Sequence, residues 1–168
     1  PAISAKLFTN FLSYVIMEEN RYFRPKGRAE HSDVLRPVRV CLISETPSGS
    51  ERFAVSATVA EKAAGPVYTF EHGGARFCVA VGETVRIGRE GDFVYELVLD
   101  PRAETEICFR TPYGEVGARV RVHDLQCVRE GETLSLECVY VLDFSGDRQQ
   151  HRLRFSARPQ SARGKEMV

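Results

Sequence analysis

From Val38 to Arg158 apolar and polar residues alternate with a period of two, broken at short intervals by Gly, Pro, Ser and Asp. Alternation at that period sends successive side chains to opposite faces of a strand, and many short strands at close spacing predict an antiparallel barrel or sandwich. The pattern predicts strands at Val38 to Glu45, Glu51 to Val59, Val67 to Glu71, Ala75 to Val81, Val85 to Arg89 and Phe93 to Leu99. It continues with Thr105 to Arg110, Glu115 to Val122, Leu125 to Arg129, Thr133 to Phe144 and Arg148 to Arg158. We read the whole as an all-β fold, a single antiparallel meander β-barrel spanning 38–158.

Before the barrel the period changes. Leu7, Phe8, Phe11, Leu12 and Val15 recur at the spacing of one helical face, with Ser4 placed as an N-cap. This predicts an N-terminal helix that packs its apolar stripe on the barrel or on a second copy of the chain. Asn20 to Pro37 is polar and carries the breakers Pro25, Gly27 and Pro37, so 1–37 reads as helix and linker, and 159–168 as a flexible tail.

Two hairpin registers follow from turn chemistry. Ser145-Gly146-Asp147-Arg148 offers Gly at the first position of a two-residue type II′ loop, which sets Leu142 opposite His151, Tyr140 opposite Leu153 and Cys138 opposite Phe155. At Thr111-Pro112-Tyr113-Gly114 the fixed negative φ of proline excludes a type I′ turn, leaving a loop closed by Arg110 and Glu115. That register puts Phe109 opposite Val116 and Ile107 opposite Ala118. It also aligns three opposite-charge pairs on the other face: Arg110 with Glu115, Glu106 with Arg119, and Glu104 with Arg121.

Composition narrows the functional classes. At 168 residues, 43% hydrophobic and 27% charged, the chain can close one sizeable core without disulfides. Lys plus Arg and Asp plus Glu are both 23. The missing basic excess speaks against nucleic acid, and the weak self-repulsion at zero net charge makes a homodimer plausible. Five cysteines without a Cys-x-x-Cys spacing read as reduced thiols of a cytoplasmic protein. No apolar run has the length of a membrane span, and no signal peptide is evident.

Phe109-Arg110-Thr111-Pro112-Tyr113-Gly114 opening a strand, Tyr140-Val141-Leu142 in a long late strand, Phe70-Glu71-His72 and Arg89-Glu90-Gly91 occur in an order that resembles the YwiB-like family of bacterial proteins. The resemblance covers Val38 to Arg158 and implies a lipocalin-like, calycin-type barrel. It brings no activity with it. Where the family tends to show Tyr-Glu-Glu, this chain has Phe70-Glu71-His72, so a role needing both carboxylates is not carried over.

No catalytic or metal signature stands out. His31, His72, His123 and His151 are dispersed, and Cys138 and His151 are offset by four residues in the derived register, too far for a nucleophile and its base. Arg119, Arg121, Arg152, Arg154 and Arg158 fall on a solvated outer face without interleaved aromatics. Cofactors and metals are therefore expected to be absent, and the chain is expected to be no enzyme. The inward set is more informative: Tyr95, Tyr140 and His151 place polar tips among Phe93, Leu97, Phe109, Leu142, Leu153 and Phe155, the make-up of an apolar pocket with a few orienting groups. Two classes remain open. One is a barrel that binds a small, largely apolar ligand through Tyr95, Tyr140 and His151; the other is an interaction module acting through dimerisation or a protein partner.

Overall fold

The structure, a computed structural model, describes residues 34–160. Ten antiparallel strands form one sheet: β1 (Arg36–Thr46), β2 (Gly49–Lys62), β3 (Gly65–His72), β4 (Ala75–Val81), β5 (Val85–Glu90), β6 (Tyr95–Leu99), β7 (Thr105–Thr111), β8 (Gly114–Glu130), β9 (Thr133–Phe144) and β10 (Asp147–Pro159). The expected N-terminal helix and most of the expected tail lie outside the described residues. β1 starts earlier than expected, at Arg36, and runs through Pro37. Proline is tolerated there because a strand's opening residues need not donate to a ladder on both sides.

Each strand pairs with its neighbour in sequence, except β6 with β7, and β1 also pairs with β10, giving the order β6-β5-β4-β3-β2-β1-β10-β9-β8-β7. The first and last strands are therefore interior members of the sheet. The barrel nearly closes between β6 and β7, where Val94 and Arg110 exchange two backbone hydrogen bonds of 2.9 Å. Below that bridge the Thr105 hydroxyl donates to the Val98 carbonyl at 2.6 Å, and no further β6–β7 backbone bond forms among the described residues.

The β7–β8 register is the expected one, with Phe109 facing Val116 and Arg110 facing Glu115. Thr111 and Gly114 pair as well, so the loop is only Pro112 and Tyr113. Gly114, at φ 132, absorbs the twist that proline forbids at the turn itself. The charged partners shift slightly: Arg119 pairs with Glu104 at 3.6 Å and Asp143 at 3.2 Å, and Arg121 with Glu104 at 3.4 Å.

The β9–β10 register differs from expectation by two residues. Tyr140 faces His151, Cys138 faces Leu153, and Leu136 faces Phe155. The loop is Ser145-Gly146 with φ of 53° and 97°, positive at both positions as a type I′ turn requires, in place of type II′ on Gly146-Asp147. Asp143 selects it by accepting the Gly146 N–H at 2.7 Å. A slip of two leaves every side chain on its face, so hydrophobic pattern alone could not separate the registers. Cys138 and His151 now lie two residues apart in register rather than four.

β8 replaces two expected strands. Its alternation changes phase at His123, where the ladder jumps from Val122 opposite Tyr140 to Asp124 opposite Val139. One inserted residue is a β-bulge, and it moves the inward set from Val116, Ala118, Val120 and Val122 to Leu125 and Cys127. Inward residues from all ten strands supply one core, whereas Arg119 and Arg154 are exposed.

Candidate functional site

Because the strands form a meander, their hairpins alternate between two ends of the barrel. At the base, which also receives the start of β1 and the end of β10, the inward residues are mostly Val and Leu and fill the lumen. The nine most completely enclosed large side chains, Phe155, Leu99, Leu134, Leu136, Val40, Val79, Val85, Val120 and Cys138, all avoid the other end's cavity. That end, the mouth, is hollow, with a cavity of about 400 Å³.

Aromatic rings make the walls of the cavity. On one side the Phe53 ring stacks on His72 with centroids 3.9 Å apart and lies 6.1 Å from Phe77. Opposite, Phe93, Tyr95, Phe109 and Phe144 form a chain with successive centroid distances of 6.0, 5.4 and 6.3 Å. Such contacts hold the rings against the wall and against each other. Leu97, Leu142 and Leu153 complete the apolar lining, and Ser44, Ser48, Ser50, Glu51 and Gln149 form a polar rim.

Tyr95, Tyr140 and His151 all border this cavity. Tyr140 and His151 are a directly facing pair with ring centroids 5.4 Å apart, and His151 Nε2 is 3.3 Å from Gln149 Oε1. Of the apolar neighbours expected with them, Phe155 alone lies elsewhere, packed edge-on against Tyr68 in the filled half. Tyr140 is 6% exposed, yet neither its hydroxyl nor that of Tyr95 hydrogen-bonds a described residue. Among the described residues no fully enclosed polar side-chain atom lacks a partner, so both hydroxyls, on residues that border the cavity, are open to it.

Burial sets the protonation states. It pushes the Tyr95 phenol up to about 12, with Arg89 pulling down and Glu51 pushing up. Tyr140 is raised further, by burial first and then by Tyr95 and Cys138. Burial lowers His151 to about 4. At neutral pH the cavity thus presents two intact phenols and an uncharged imidazole. Cys138 is likewise pushed up to about 12 by burial, stays a thiol, and does not border the cavity.

Arg89 is the residue that the sequence reading passed over. It is 4% exposed, the one buried charged side chain among the described residues, and it borders the cavity. Its Nη1 donates to the Phe93 carbonyl and its Nη2 to Asp92 Oδ1 at 2.9 Å. The guanidinium lies 3.5 Å from the Phe93 ring centroid, a cation–π contact. The signal was present: Val85, Ile87 and Arg89 share one parity, which turns all three inward.

No three His, Cys, Asp or Glu side chains among the described residues could hold a metal ion together. No described helix is long and apolar enough to cross a membrane, a statement that does not bear on barrels. A second depression of about 690 Å³ lies outside the β6–β7 seam, but it is more open and holds the Arg86–Glu96 ion pair of 2.8 Å.

Fold and site together define a nearly closed, ten-stranded antiparallel β-barrel with a mainly apolar cavity at one end. Among solved structures the chain is similar to the YwiB protein from Bacillus subtilis, with a TM-score of 0.63 and 16% sequence identity over 76% of this chain and 94% of that one. At that identity the likeness shows the fold alone. No protein-family model matches the chain, and no curated protein does either.

Proposed function

We propose that the protein is a non-enzymatic binding protein which holds a small, largely apolar ligand in the barrel mouth, in the manner of lipocalin-like barrels. The observation that carries this reading is the Tyr140 hydroxyl, which opens onto a cavity of about 400 Å³ and has no hydrogen-bond partner among the described residues. A barrel that merely filled itself would leave neither the volume nor the unmatched donor, and cavities of this size and lining are typical of small-molecule sites. Charged outward positions such as Arg119, Arg152 and Arg154, ion-paired to Glu104, Asp143 and Glu137, suit a wall facing water rather than lipid. Five unbonded cysteines support a reducing compartment such as the cytoplasm.

Titration with the neutral fluorophore N-phenyl-1-naphthylamine tests the reading. Saturable enhancement at one probe per chain is expected, and a linear, non-saturating response overturns it. A second reading, self-association, draws support from β8. Among the described residues its last residues pair only with β9, and Val128 there is 56% exposed, which leaves a strand edge for a second copy. Light scattering across a concentration series measures that directly.

A further inference from the structure

Resting on the binding reading above, we infer that the ligand is a planar aromatic acid whose ring lies between the Phe53–His72 and Phe93–Tyr95 walls and whose anionic oxygens take hydrogen bonds from Arg89, Tyr95 and Tyr140.

Two independent features lead there. The first is shape. Flat rings line both sides of the cavity, stacked or tilted against one another at 3.9 to 6.3 Å between centroids. Stacked or edge-on packing against such walls favours a rigid ring over a flexible alkyl chain, which also loses more rotamer freedom on binding.

The second is an imbalance of donors over acceptors. A guanidinium has five N–H donors and no acceptor, and among the described residues those of Arg89 make two hydrogen bonds, from Nη1 to the Phe93 carbonyl and from Nη2 to Asp92 Oδ1. The Tyr95 and Tyr140 hydroxyls keep their protons and have no acceptor among the described residues. The carboxylate that borders the cavity is Glu51, exposed on the rim. Asp92, which holds the guanidinium, does not border the cavity. These donors also sit within one another's field: Arg89 acts on Tyr95, and Tyr95 on Tyr140. Converging donors in a low-dielectric wall select a ligand that brings acceptor oxygens, most strongly charged ones.

The experiment is displacement of bound N-phenyl-1-naphthylamine by three competitors: 2-naphthoate, its uncharged isostere 2-naphthamide, and the aliphatic acid decanoate. The inference expects 2-naphthoate to displace at concentrations about tenfold or more below both others. Arg89→Met is expected to abolish the gap between naphthoate and naphthamide by weakening naphthoate several-fold more than naphthamide. Arg89 also braces the turn before β6, so that variant is checked for folding. The Tyr95→Phe, Tyr140→Phe double variant, which keeps both rings, is expected to narrow the same gap several-fold. Equal displacement by naphthoate and naphthamide, or by naphthoate and decanoate, overturns the inference while saturable probe binding keeps the binding reading. A gap that survives in every folded variant overturns the assignment of these donors. Absence of saturable probe binding removes the binding reading itself, and the inference with it.

Discussion

The two ends of the barrel share the same strands and the same inward alternation, yet one is packed and the other is hollow. At the base, Val and Leu from facing strands interdigitate around Phe155, which is 1% exposed. Branched aliphatic side chains reach into the lumen and fill it. At the mouth, rings stack along the wall beside Leu97, Leu142 and Leu153, with serines on the rim. Rings held by their neighbours do not cross the lumen. The contrast assigns stability to the base and frees the mouth to carry polar tips that a packed core could not accept.

The sharpest test compares truncations. Phe155→Ala should cost about 3 to 5 kcal/mol by urea denaturation, whereas Phe144→Ala at the mouth, half-buried and beside existing space, should cost about 1 to 2 kcal/mol. Equal losses would erase the distinction between the ends.

Acid should then weaken the mouth selectively. His151 is lowered to about 4 in the fold against 6.5 unfolded. Between those values the unfolded chain binds a proton that the folded chain does not, so stability is intact above pH 6.5 and falls as pH drops toward 4. Allowing for solvent at the mouth, the loss attributable to this group is about 1 to 2 kcal/mol. His151→Gln should flatten that part of the pH–stability curve, and an unchanged slope counts against a buried neutral imidazole.

Smaller still is Tyr140→Phe, which should leave stability within about 0.5 kcal/mol of the parent because the hydroxyl has no hydrogen-bond partner among the described residues, while weakening 2-naphthoate binding by about 1 kcal/mol, near fivefold. A stability loss as large as the binding loss would mean the hydroxyl is structural. The least effect belongs to the β9–β10 turn. Ser145 stands at φ 53, and Ser145→Asn, which suits a type I′ turn better, should stabilise by about 0.5 kcal/mol in the same denaturation assay.

Much of this was legible from alternation and turn chemistry. Ala75–Val81 and Thr133–Phe144 carry the expected bounds, and the β7–β8 register followed from one proline and the charges flanking it. The β9–β10 register did not, because a slip of two preserves parity, and the choice rested on Asp143 capping Gly146. The N-terminal helix is a separate matter, since it lies outside the described residues. For the site, parity was enough to turn Tyr95, Tyr140 and His151 inward. Parity says nothing about height along the barrel, so Phe155 looked equivalent to Phe109 although one plugs the base and the other walls the cavity. Arg89 shows a different limit: charged side chains ordinarily face solvent, and Asp92 and the Phe93 carbonyl, both supplied by the following turn, make its burial tolerable.

The near-closure between β6 and β7 turns equilibrium questions into questions of time. Every other strand boundary is a full ladder, but this one is fastened by a single reciprocal pair of backbone bonds at Val94 and Arg110 and one threonine hydroxyl. Tyr95 stands directly behind that line, bordering both the cavity and the outer depression. Local openings follow the weakest set of bonds, so amides along β6 should exchange with solvent sooner than those of β1 or β10, which sit mid-sheet. On the binding reading, a molecule that holds Tyr95 in place should slow that exchange along β6 more than exchange elsewhere in the sheet.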